Sequence, residues 1–215
     1  MNAKPTIRPA VPADVDRAAE SLGLAFSDYP FTRHTVAADD HHERVTSLQR
    51  IYLDTIGLRC GRVWVSDDVA AVAVWLTPSS VGVVDAFESV AERIEQLHGN
   101  RIDIARRADE ATESLKPSES VWLLATVGVD PSVQGQGLGR AVLEPGLQQA
   151  REHGCPAYLE TSSTANLALY EGLGFRVTAS VQLPDGGPEV WAMLRAQRPR
   201  RGRCQMVAFN SSVMR

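Results

Sequence analysis

With 215 residues, 44 % of them hydrophobic and 22 % charged, the chain is long and apolar enough for one globular domain with a substantial core, which excludes a disordered body. The formal charge of −4 is uneven: the last twenty residues hold Arg198, Arg200, Arg201, Arg203 and Arg215 and no acid, and removing these five leaves −9 for residues 1–195. So acidic a body argues against a nucleic-acid partner, and apolar runs far shorter than the ~18 residues of a bilayer span argue against a membrane one.

The chain opens on Met-Asn-Ala-Lys-Pro-Thr, with no apolar segment of the kind that directs export, so a cytoplasmic protein is expected. Thr6 to Arg8 reads as a short strand ended by Pro9, and Pro12 to Phe26 as a helix with Val15, Ala18, Ala19, Leu22 and Phe26 on one face. Ser27 to His34 reads as a loop around Pro30. Asp39 or Asp40 caps a second helix, with Val45, Leu48, Tyr52 and Ile56 as its buried stripe, ending near Gly57. Arg62–Ser66 and Val69–Leu76 form a hairpin. Residues 83–115 read as helical, with a break at Gly99-Asn100, and Trp122–Val129 is the central strand. A helix kinked at Pro145-Gly146 follows, then a strand to Thr161, a helix from Thr164 to Gly172, and a last hairpin around Pro184-Asp185-Gly186-Gly187. The cysteines (Cys60, Cys155, Cys204) and histidines (His34, His41, His42, His98, His153) show no metal-ligand spacing, so no metal is expected. The histidines read mostly as surface residues.

The segment between the central strand and the kinked helix is Gln134-Gly135-Gln136-Gly137-Leu138-Gly139. Glycines ahead of a helix let backbone N–H groups wrap a pyrophosphate, and the helix N-terminus adds partial positive charge. A P-loop is excluded because no Lys-Ser or Lys-Thr follows, and a dinucleotide fingerprint because Arg140 stands where its third glycine belongs. Gln-x-x-Gly-x-Gly resembles the pyrophosphate loop of the GNAT acyltransferase superfamily. Alone the hexapeptide is a weak signal. It is strengthened one strand downstream by Asn166-Leu167-Ala168-Leu169-Tyr170-Glu171-Gly172-Leu173-Gly174-Phe175, which resembles that superfamily's Asn-x-x-x-Tyr-x-x-x-Gly-Phe segment.

The resemblance implies an α/β fold with a mixed, mostly antiparallel sheet and helices on both faces, residues 1–195 forming the domain and 196–215 an arginine-rich extension. It implies acetyl-CoA as co-substrate, a small-molecule amine as acceptor and no metal. Gln134, Gly135, Gln136, Gly137, Leu138, Gly139 and Arg140 then hold the pyrophosphate, while Val127 and Val129 offer backbone groups, and Asn166 its side chain, to the pantetheine arm. Tyr170 is the candidate general acid, since a phenol of pKa about 10 stays protonated at neutral pH. Glu160, a carboxylate inside an apolar strand, is the candidate proton acceptor.

Further stretches, among them Ala25–Val36, Gly61–Val65, Ala71–Trp75, Leu124–Val129 and Leu159–Ser162, resemble the puromycin N-acetyltransferases. That resemblance implies the α-amine of an aminonucleoside as acceptor and antibiotic resistance as the outcome. Tyr29, Phe31, Trp64 and Trp75 are the candidate aromatic surfaces and Asp28 the candidate carboxylate for its cation. A protein or peptide N-acetyltransferase and a non-catalytic acyl-CoA-binding module are the alternatives. Tyr170 speaks against the module, and the long 83–115 segment speaks for a covered, small-molecule site.

Overall fold

The computed structural model describes residues 5–197, so the arginines of the C-terminal extension lie outside the described residues. A seven-stranded sheet of order β1-β2-β3-β4-β5-β7-β6 runs through the molecule. Its strands are β1 (Ile7–Pro9), β2 (Arg62–Ser66), β3 (Ala71–Leu76), β4 (Trp122–Val129), β5 (Ala157–Thr161), β6 (Arg176–Gln182) and β7 (Glu189–Arg195). Every pairing is antiparallel except β4 with β5.

Alternation along the strands sorts the core into two faces. Val63, Val65, Val72 and Val74 point to one side, where Ala18 and Leu22 of α1 (Val15–Phe26) cover them. Trp64, Ala71, Ala73 and Trp75 point to the other and meet Val142, Leu143 and Leu147 of α7 (Leu138–Glu152). Trp75 lies directly beneath Gly146, where an added Cβ would fall 2.4 Å from the indole nitrogen. Only a glycine lets the helix cross the ring at that height. Pro145, which lacks an N–H, sits beside it within the same helix.

Two departures from the sequence expectation shape the region over the sheet. The segment read as a loop contains a helix, α2 (Pro30–Thr35), because Pro30 occupies its first turn, where a fixed φ and a missing N–H cost nothing. The second helix, α3 (His41–Ile51), continues as a π-helical turn, Tyr52–Leu58, to the end that the sequence places near Gly57. The 83–115 region forms α4 (Val83–Glu88), α5 (Ala91–His98) and α6 (Ile102–Glu113), with a 3-10 turn at Gly99–Arg101 at the expected break. Ala108 of α6 and Leu115 pack on Tyr158 and Ala192, so α6 covers β5 and β7 on the face opposite α7. The last helix, α8 (Thr164–Gly172), follows β5. No helix of the described residues is long and apolar enough to cross a membrane.

Gly146→Ala should destabilise the domain by about 1–3 kcal/mol, the usual cost of overpacking a close-packed contact. Denaturant unfolding of the variant and parent checks this, and equal midpoints would contradict the placement of Trp75 under α7.

Candidate active site

The site begins where the sheet stops pairing. β4 and β5 are matched only at Trp122↔Ala157 and Leu123↔Tyr158, after which they diverge. β5 goes on pairing with β7 through Thr161↔Trp191 and β4 with β3 through Ala71↔Val129, so each strand keeps one partner. The facing edges, Leu124–Val129 and Leu159–Thr161, keep backbone donors and acceptors for something other than each other. Between Trp75↔Leu124 and Val74↔Thr126 the register shifts, so Ala125 is an extra residue on β4. The bulge has a visible effect on side chains: Trp122, Leu124, Val127 and Val129 all face α7, the step of three between Leu124 and Val127 absorbing the insertion.

A cavity of about 650 Å³ occupies this divergence and runs from the start of α7 to the underside of α6. At the α7 end, Gly135 (φ 78°) and Gly137 (φ 82°) hold left-handed conformations, and a Cβ added to either meets nothing within 4 Å. The loop is therefore a cradle open to whatever lies above it. No side chain caps α7, so the N–H groups of its first turn remain free to donate. Gln134 turns back, its Nε2 donating to the Val129 carbonyl at 3.0 Å, and Arg140 donates to the Gly172 carbonyl at 3.3 Å, which ties the cradle to both flanking elements. This donor set suits a pyrophosphate. Val127, Val129, Gln134, Gly135, Gly137, Leu138, Gly139, Arg140 and Asn166 line the cavity, and Gln136 lies in the cradle without lining it.

Tyr170, on α8, lines the cavity and is only 5 % exposed. Its ring meets Phe175 edge to face at 6.0 Å. Burial, with Tyr29 nearby, pushes its phenol well above the ordinary tyrosine value, so the proton is held throughout the neutral range. Among the described residues its hydroxyl has no hydrogen-bond partner.

Beyond Tyr170 the walls become aromatic and acidic. Tyr29 and Phe31 line the cavity together with Phe26, Tyr52 and Phe87. The α1–α2 connection is held against β5: the Ser162 N–H donates to the Tyr29 hydroxyl at 2.7 Å, that hydroxyl lies 3.0 Å from Thr161 Oγ1, and the Phe31 N–H donates to Ser162 Oγ at 3.1 Å. Glu160 lines this end as well. Burial raises its pKa above the usual carboxylate range, opposed by the Tyr158 hydroxyl 2.7 Å from Oε1. The same hydroxyl donates to the Leu115 carbonyl at 3.1 Å.

Three residues expected at the acceptor stand elsewhere. Trp64 (6 % exposed) and Trp75 (0 %) belong to the core beneath α7, because their positions on β2 and β3 face away from the cavity. Asp28 has a 96 % exposed side chain, 3.8 Å from Arg33, and does not line the cavity. Two histidines expected at the surface are inside. His41 is clamped between the carbonyls of Ala37 and Ser27, and buried His34 packs against Gly187. His98 reaches the cavity, its Nδ1 donating to the Thr35 carbonyl at 2.7 Å, and burial lowers its pKa, which keeps the ring neutral.

The sequence reading missed Asp109 and Tyr52, both cavity-lining. Asp109 follows the buried Ala105 and Ala108 and precedes buried Thr112 on one stripe of α6; a carboxylate on an otherwise small, apolar stripe was the available signal. Burial, with Glu160 and Glu113 nearby and Lys116 opposing them, pushes Asp109 up to about 7. Among the described residues, no group of three or more His, Cys, Asp or Glu side chains could hold a metal ion.

Comparison with known proteins agrees with this geometry. Residues 102–175 match the family model of the Acetyltransferase (GNAT) family. The uncharacterized N-acetyltransferase C550.08 of Schizosaccharomyces pombe is 24 % identical over 210 residues, covering 86 % of this chain and 80 % of that protein. The mycothiol acetyltransferase of Thermomonospora curvata is 52 % identical over 52 residues, but these span only 23 % of this chain and 18 % of that protein. Among solved structures, the histone acetyltransferase HPA2 and related acetyltransferase from Corynebacterium glutamicum superposes with a TM-score of 0.72 at 25 % identity, covering 92 % of this chain and 98 % of that one. A diverging β4–β5 pair, an uncapped glycine cradle at its mouth and these likenesses lead to one conclusion: the protein has the GNAT fold and is an acetyl-CoA-dependent N-acetyltransferase.

Proposed function

We propose that the protein acetylates the α-amine of puromycin or a closely related aminonucleoside, and thereby confers resistance to it. The observation that carries this reading is the lining of the cavity, which includes the rings of Tyr29, Phe31, Tyr52 and Phe87 and the carboxylates of Glu160 and Asp109. An aminonucleoside with an aromatic amino-acyl arm presents flat rings and one cation, the features such walls and acids recognise. The stretches resembling the puromycin N-acetyltransferases, Ala25–Val36 above all, include the two rings that contribute to this wall from α1–α2.

The chemistry follows from what each group can hold. Bound acetyl-CoA supplies an acetyl carbon activated as a thioester. In this reading Gln134 to Arg140 hold its pyrophosphate, the edge of β4 left unpaired by β5 holds the arm, and the backbone near Thr126 and Val127 polarises the carbonyl. Tyr170 keeps a proton for the departing thiolate. An α-amine of pKa about 7.7–8.0 already has a neutral fraction near pH 7.5, so a carboxylate suffices to receive its proton and no histidine base is needed.

Gly137→Trp should weaken acetyl-CoA binding at least tenfold by calorimetry, because the indole fills space that the cradle leaves open; unchanged affinity would remove the pyrophosphate from this loop. Tyr170→Phe keeps the ring and loses the proton, so kcat should fall by roughly 10²–10⁴-fold with acetyl-CoA affinity retained. A kcat within a few-fold of the parent would exclude Tyr170 as the acid. Release of CoA on adding puromycin, and growth of sensitive cells in puromycin with the parent protein but not with Tyr170→Phe, test the acceptor. A folded, acetyl-CoA-binding protein that releases no CoA with puromycin would refute it.

A further inference from the structure

The two carboxylates at the acceptor end are not equivalent. Glu160 is already engaged through Tyr158, whose hydroxyl lies 2.7 Å from Glu160 Oε1 and 3.1 Å from the Leu115 carbonyl. A phenol has one proton to give. Tyr158 is the donor in both contacts, so that one proton is shared between the Glu160 carboxylate and the Leu115 carbonyl. Asp109 is different. It lines the cavity from the stripe of α6 that carries Ala105, Ala108 and Thr112, and among the described residues no hydrogen bond or ion pair holds its carboxylate. Leaving a carboxylate half-buried and unpaired is costly unless a ligand completes it. The groups that act on it are Tyr52 from the π-helical turn, Glu160 from β5, and Glu113 and Lys116 beyond its own turn. The Tyr52 hydroxyl also lacks a partner among the described residues.

We propose that Asp109, delivered by the inserted helices, binds the ammonium group of the acceptor and takes its first proton, with the rings of Tyr29 and Tyr52 selecting a cation attached to an aromatic body. This deepens the amine reading above and rests on it. The docked ammonium gives one proton to the Asp109 carboxylate, breaking N–H and forming O–H, and the freed lone pair forms the N–C bond to the acetyl carbonyl as the C–S bond breaks. The thiolate takes the Tyr170 proton, the phenolate recovers one from the acylated nitrogen, and Asp109 releases its own to water. One ammonium and one thioester thus give one amide, one thiol and one proton. A carboxylate at about 7 facing an amine of pKa about 7.7–8.0 makes the first transfer nearly level in energy.

The test measures affinity for the amine cation against its neutral counterpart in CoA-loaded protein, by calorimetry. Puromycin is paired with the analogue bearing a hydroxyl in place of its α-amine, and phenethylamine with 2-phenylethanol. The parent should prefer each amine at least tenfold at pH 7.5, and that preference should decline below pH 7 as Asp109 protonates. In Asp109→Asn and Asp109→Ser, each first shown to bind acetyl-CoA like the parent, the preference should vanish. A preference retained in these variants, or independent of pH in the parent, overturns the anchor, as does a parent that binds neither amine. If only phenethylamine shows an Asp109-dependent preference, the anchor stands and the aminonucleoside acceptor falls.

Discussion

Everything the protein does is organised by an unmet need for hydrogen bonds. A backbone edge buried without partners costs about 1–3 kcal/mol for each group left unpaired, so a fold that opens two central strands must give their edges another use. Here β4 and β5 separate after two residue pairs, and the opened edges lie along the same cavity as the glycine cradle and Tyr170. The outer pairings, β3 with β4 and β5 with β7, brace the separation so that the sheet opens at one seam only. The bulge at Ala125 lets β4 leave its neighbour while Val127 and Val129 stay packed against α7.

The glycine cradle was legible because its geometry is written in a short, contiguous segment. Two glycines held at positive φ and the start of a helix are local properties, so Gly135, Gly137 and Leu138 carry their meaning in the sequence itself. The strands were legible for a similar reason: Trp122–Val129 and Arg62–Ser66 have the bounds that their apolar pattern implies.

The acceptor half was less legible because it is assembled across the chain. An aromatic residue on a strand carries no mark of which face it takes, and the alternation that sends Val63 and Val74 toward α1 sends Trp64 and Trp75 into the opposite core. Asp28 was an acid in the right segment, yet it points to solvent, and the carboxylates that line the cavity are those of Glu160 and of Asp109, the latter 81 positions later. Pro30 was read as part of a loop when it begins α2, since the same fixed φ serves both purposes. The 83–115 helices were recognisable as a cover by their length and stripe, whereas the single acid on that stripe gained its meaning only when α6 lay over β5.

The attachment of Tyr29 and Phe31 to Thr161 and Ser162 has a mechanical side. The α1–α2 connection grows out of the half of the sheet that carries β4, yet its hydrogen bonds fasten it to β5, in the other half. It is a strap across the seam. Three neutral hydrogen bonds, each worth about 0.5–1.5 kcal/mol net, resist a widening of the seam at this end, and none of them involves the cradle at α7. The seam can therefore loosen at this strap without disturbing any contact of the α7 cradle.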